Sequence, residues 1–189
     1  DAASNPAHIA ADLLSQAEHD KLSAAWLVTT SEAFAVQVRA ELEKQLPLLS
    51  RESIARASID QNGRVIVVPD LAAAVQVAND IAPEHLEVST EDPFALLPLI
   101  ENAGSVFLGR YCPEPLGDYL AGPNHTLPTS GTARYSSPLG VDDFCKRSSY
   151  LYYTREALQA VGMDVRRFAQ REELTAHANA VAIRMEDQA

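Results

Sequence analysis

The sequence has no uninterrupted apolar run near the ~20 residues a membrane-spanning helix needs, and no basic stretch leads into an apolar one at its start. A soluble protein with no membrane partner is expected. Cysteine is scarce. Cys112 and Cys145 are too far apart for a CxxC zinc site and too few for a disulfide framework, which points to a reducing cytoplasm and two inert small thiols. Basic residues are few as well: 15 Lys and Arg against 26 Asp and Glu leave a formal charge of −11, which argues against nucleic acid as a partner, because that affinity rests on clustered cations. Small molecules or protein remain as partners. Neither GxGxxG nor GxxxxGK[ST] occurs after any apolar strand-like run, so the phosphate cradle of nucleotide-binding folds is missing from these residues.

What is present suits a globular α/β protein. The 189 residues are 47% hydrophobic, enough for one domain with a real core, or for a domain with a small appendage. Asn5-Pro6 supplies a helix cap followed by proline at the first helical position, predicting a helix to about His19. DAASNPAHIAADLL has no initiating Met and reads as the exit from a preceding strand, so an N-terminal part is expected before it. AAWLVTT (24–30), RVIVV (64–68), HLEVS (85–89) and GSVFLG (104–109) read as strands. Between them, helices are expected from Ser31 to about Leu46, from Asp70 to about Ala78 and from Asp92 to about Asn102. That alternation predicts a parallel or mostly parallel sheet covered on both faces.

The rhythm stops at Gly109. Residues 110–144 are rich in Pro, Gly, Ser and Thr yet carry too many apolar and aromatic side chains for simple disorder. A loop fed directly by a strand is where ligands of α/β sheets sit. The remainder reads as an aromatic strand-like stretch, a short helix and a long helix from about Asp164, dividing the chain into 1–140 and 141–189.

Several polar groupings could carry chemistry. Gln16 and His19, three apart in LLSQAEHD, can aim at one point if both lie on a helix, but a surface role is equally open. In GDYLAGPNH, Asp118 precedes His125 by seven residues. Imidazole nitrogen and carboxylate oxygen are ordinary zinc ligands, and a glutamine amide is a less usual one. In APEHLEV, Glu84 and His85 stand where a strand begins. They can act together as a proton-transfer pair only if the turn before the strand is not yet extended; otherwise Glu84 caps and His85 packs. In REELTAHANAV, Glu173 and His177 lie one helical turn apart, with Glu172 on an adjacent face, a pattern that solubility alone can explain.

Taken in order, DLLSQAEHD, APEHLEV, AGSVFLGRYCPEPLGDYLAGPNHTLPT and LTAHANAV resemble histidinol dehydrogenase, from about Ala10 to the C-terminus. The resemblance implies oxidation of L-histidinol to L-histidine in two NAD-dependent steps through an aldehyde-level intermediate, the end of histidine biosynthesis. It implies that Gln16, His19, Asp118 and His177 bind Zn2+, with the substrate's imidazole and amine completing the coordination. Glu84 and His85 become the proton-transfer pair: His85 accepts protons during the oxidations and Glu84 activates the water that hydrates the aldehyde. Gln16, His19, His85, Glu114, Asp118, His125, Glu172 and His177 become substrate-binding residues. It further implies a Rossmann-like sheet of which 1–140 is the C-terminal part, and a homodimer in which the arm 141–189 is exchanged, so that His177 and Glu172 of one subunit join the site of the other.

Family members are substantially longer. The part of them beyond this chain carries the remaining strands and the NAD-contacting domain, and no NAD contact is assigned here. A catalytically incomplete polypeptide with a structural or partner-binding role is therefore a second reading. A zinc hydrolase using Glu84 is a third, and it lacks the HExxH helix.

Overall fold

The computed structural model describes residues 1–186 and forms two compact units, Asp1–Phe144 and Cys145–Ala189. In the first unit the chain runs α1 (Pro6–Ala17), β1 (Trp26–Thr29), α2 (Glu32–Gln45), α3 (Glu52–Asn62), β2 (Arg64–Val67), α4 (Leu71–Ile81), β3 (His85–Val88), β4 (Ser105–Leu108) and α5 (Glu114–Tyr119). Three helix starts carry the side-chain caps their sequences offer. Asn5 accepts from the Ala7 N–H (2.9 Å), Ser31 from Phe34 (3.2 Å) and Asp70 from Ala73 (2.8 Å).

The core is helical. Ala10, Leu14 and Ala17 form an i, i+4, i+7 stripe on α1, and Phe34, Val38 and Leu42 form another on α2. Both are buried together with Leu27, Leu46 and Ala55. Val36, also on α2, points outward at 64% exposure.

The strands are all parallel but stand in two pairs. β1 pairs with β2 from Trp26↔Arg64 to Thr29↔Val67, and β3 with β4 from His85↔Ser105 to Val88↔Leu108. A cleft of about 1070 Å³ is lined along its length by β1 and β3 and reached by neither β2 nor β4.

Three expected elements differ. Residues 92–102 hold only a 3-10 turn, Leu97–Leu99, because Pro98 has no N–H to donate and its ring clashes with the carbonyl four residues back. The segment 51–62, not foreseen as helical, is α3. Its buried contacts are small, Ala55 and Ser58, and therefore faint in a hydrophobicity pattern. The loop 110–144 contains α5.

The second unit pairs α6 (Arg155–Arg171) with α7 (Thr175–Glu186), and residues 146–153 form no strand. The helix break falls at Glu172–Leu174 rather than near Asp164. Gly162, inside α6, lets α7 pack close, since a side chain there would run into Met185. The turn instead uses Glu173 at φ 62°, and Leu174 N–H returns to the Ala169 carbonyl (2.8 Å). Among the described residues no helix is long and apolar enough to cross a membrane.

Leu46 is fully enclosed. Leu46→Ala is expected to lower unfolding stability by about 2–5 kcal/mol in urea denaturation, without a change in the m-value.

Candidate active site

A strand exposes alternate residues to one face, so His85 and Glu87 of β3 point the same way. On α1, Asp12 and Gln16 lie one turn apart on the side opposite the apolar stripe. The two elements meet as rungs. His85 Nδ1 donates to Gln16 Oε1 (3.3 Å), and the Asp12 and Glu87 carboxyls share a hydrogen bond. With Nδ1 carrying the proton, Nε2 keeps its lone pair, and it faces Glu114 Oε1 at 3.7 Å.

Glu114 opens α5. Its backbone N–H donates to Glu87 Oε1 (2.9 Å), while its side chain, in a residue only 5% exposed, hydrogen-bonds Asp118. Glu114 Oε1 is buried and has no hydrogen-bond partner. Glycine permits this closeness. A Cβ at Gly117 would lie 2.6 Å from Phe107 Cε1, and Phe107 in turn packs edge-on against the His85 ring at 5.9 Å. Likewise a Cβ at Gly104 would lie 2.6 Å from the Glu84 carbonyl, which accepts the Ser105 N–H (2.9 Å).

Glu84 sits in the bend before β3, following Ala82 at φ 51°, so the chain at Glu84 is not yet extended. This is the condition under which the two neighbours can serve one substrate. Burial holds the His85 imidazole below the ordinary histidine range, against the opposing pull of Glu84 and Asp118. Burial also raises Glu114 to about 7, helped by its hydrogen bond to Asp118. Glu87 is pushed up to about 8, again by burial first and then by the Asp12 carboxylate. Neutral imidazole and proton-bearing carboxyls therefore coexist near neutral pH.

Ligand atoms of His85, Glu114 and Asp118 lie within 4.8 Å of one another, a nitrogen and oxygen set suited to a borderline divalent ion. His19 is not in that group. It lies beyond the end of α1, in an exposed turn, so it and Gln16 do not share a helix as their spacing suggested. His125 is in an exposed loop. Glu172 and His177 belong to the second unit, at the C-cap of α6 and in the first turn of α7. With Glu173 in the turn between, Glu173 and His177 do not form one helical pair.

A family model described as histidinol dehydrogenase matches residues 1–185. The chain belongs to the histidinol dehydrogenase family. A histidinol dehydrogenase of Syntrophotalea carbinolica is 55% identical over 99% of this chain and 43% of its own length, and one of Bacillus cereus is 54% identical over 100% and 44%. The crystal structure of histidinol dehydrogenase from Elizabethkingia anophelis superposes with a TM-score of 0.75 at 41% identity, covering 97% of this chain and 42% of that one. The chain thus spans less than half the length of these histidinol dehydrogenases.

The sequence words pointed to His85, Glu114 and Asp118 but not to Asp12, Glu87, Phe107 or Gly117. The available signal was spacing: Asp12 is one turn before Gln16, and Glu87 two residues after His85 in a strand.

Because the folded Glu87 holds its proton from the ordinary 4.5 up to about 8, the folded state binds more protons than the unfolded one across that window. Its contribution to stability is complete at the low end and fades as pH rises. In metal-free protein, wild type is expected to lose stability relative to Glu87→Gln as pH rises through this window. Parallel thermal-melt profiles of the two would refute the assignment.

Proposed function

We propose that the chain is the metal-binding and proton-transferring portion of a histidinol dehydrogenase, an oxidoreductase that takes L-histidinol to L-histidine. The observation that carries this reading is His85. It is a buried imidazole oriented by Gln16, with Nε2 turned toward Glu114 and Asp118, inside a segment matched to the family almost end to end.

The orphaned Glu114 Oε1 and the nitrogen and oxygen donors around it fit a divalent metal. By the family resemblance Gln16, His19 and Asp118 would hold Zn2+, with His177 contributed by a second copy of the chain in a homodimer. Of these Asp118 lies in the nitrogen and oxygen set, Gln16 is hydrogen-bonded to His85 and His19 stands in the exposed turn after α1. The ion would supply Lewis acidity and a fixed point for the substrate's imidazole and amine. His85 Nε2 takes the proton from the substrate hydroxyl as the alcohol is oxidised. Glu84, in its bend, takes the proton from the water that adds to the aldehyde-level intermediate. Glu114, His125 and Glu172 bind and orient substrate.

These residues carry no glycine-rich phosphate cradle and do not fit NAD. We assign the nucleotide to the part of the family chain outside this sequence, and a cytoplasmic location to the assembled enzyme. The open cleft between β1 and β3 favours a second reading, in which the chain by itself is catalytically incomplete and its strands pair with that other part.

Histidinol-dependent NADH absorbance separates the two readings. Both readings expect the chain alone to be inactive; the first expects turnover when it is mixed with the remaining family portion, and a mixture that forms a complex without turnover favours a structural or partner-binding role. In the assembled enzyme, His85→Ala is expected to lower kcat by about 10²–10⁴-fold with an unchanged melting temperature. His19→Ala is expected to abolish zinc retention, and full zinc content in that variant by metal analysis would refute the ligand assignment.

A further inference from the structure

Glu87 is assigned neither a proton transfer nor a substrate contact above, yet it joins three elements. One carboxyl oxygen accepts the Glu114 N–H at 2.9 Å, the carboxyl hydrogen-bonds Asp12 of α1, and the residue itself belongs to the β3 face that carries His85. The same three elements meet again one step along, through Gln16 of α1, His85 of β3 and the Glu114 side chain of α5.

We propose that Asp12 and Glu87 are positioning residues, a carboxyl pair that clamps the backbone of Glu114 to β3 and so sets the spacing between the Glu114 and Asp118 carboxyls and His85 Nε2. The arrangement accounts for two acids in a place where apolar residues would pack at lower cost, since a buried polar group needs partners and these supply each other. One Glu87 oxygen receives the Glu114 N–H while the carboxyl also hydrogen-bonds Asp12, so both oxygens can be engaged at once. Glutamine can reproduce both bonds, with a carbonyl acceptor and an amide donor, whereas methionine fills similar space and reproduces neither. α5 is only six residues long and its N-cap, Pro113, offers no side-chain hydrogen bond, so this bond is the polar tether on its first residue.

The test compares Glu87→Met, Glu87→Gln and Asp12→Ala. Amide hydrogen exchange at Glu114, read by NMR on the chain as it stands, is expected to speed up about tenfold in Glu87→Met, the effect of losing one hydrogen bond, and to stay at the wild-type rate in Glu87→Gln. In the enzyme assembled as proposed above, Glu87→Met is expected to lower kcat about 10–100-fold while the melting temperature holds or rises, and Glu87→Gln is expected to restore kcat. A merely structural role would move kcat and melting temperature together and would not be rescued by glutamine. Asp12→Ala leaves Glu87 unrestrained and is expected to act in the same direction to a smaller extent, which decides the matter if Glu87→Met does not fold. The proposal is overturned if Glu87→Met leaves both Glu114 exchange and kcat at wild-type values, or if Glu87→Gln is as impaired as Glu87→Met. The kinetic arm rests on the function proposed above. Should wild type fail to oxidise histidinol, that function falls and the exchange measurement alone decides the clamp.

Discussion

Two polar rungs between α1 and β3, Gln16 with His85 and Asp12 with Glu87, are the constraint on which the rest of the site depends. A strand face carrying an imidazole and a carboxyl in a half-buried position gains nothing from hydrophobic burial and is costly unless each group finds a partner. A helix in correct register supplies partners one turn apart to residues two apart on a strand. The register of α1 is fixed by its other side, where Ala10, Leu14 and Ala17 pack into the core, and by the Asn5 cap at its start. The geometry of the site is thus inherited from apolar packing on the far side of the helix.

The same region gathers Asp12, Glu84, Glu87, Glu114, Asp118 and His85 within mutual influence. Such a cluster is destabilising: burial raises Asp12, Glu87 and Glu114, and like charge adds to the rise of the last two, so the ionised forms that water favours are disfavoured there. Function explains its persistence where stability does not. Under the proposed function a neutral His85 with one nitrogen occupied by Gln16 serves as a directed base, and the partnerless Glu114 oxygen is a place for a cation or a substrate donor.

Much of this was legible in the sequence, and what was missed shares a cause. β1 to β4 were read within about two residues because their short length, their β-branched and aromatic residues and the turn residues around them together favour strand over helix. α3 escaped because Ala55 and Ser58 bury little apolar area, and the helix expected from the Asp92-Pro93 start signal is cut short by Pro98. Site residues were recognisable where they fell in distinctive words: Glu84-His85, Glu114, Asp118. Asp12 and Glu87 were not, because a carboxylate in an amphipathic helix or an alternating strand ordinarily faces water, and only the docking of α1 on β3 turns both inward. His19 shows the converse, since three-residue spacing implied a shared helix face and the helix ended at Ala17.

The packing around the cleft gives the rungs a second consequence. β1 lies against α2 and places Leu27 in the core shared by α1, α2 and α3, whereas the buried apolar residues of β3 and β4, Val88 and Phe107, lie outside that cluster. A two-stranded sheet has little stability of its own, so β3 and β4 depend on what they dock against. The polar bonds from α1, together with the Phe107–His85 contact and the seat of Gly117 on Phe107, lie on that docking surface. Local opening should therefore begin where the apolar contacts are thinnest, and it would part His85 from Gln16 before disturbing the helical core. Catalytic geometry and the attachment of the β3–β4 pair are accordingly served by the same few side chains, and a substitution that loosens one loosens the other.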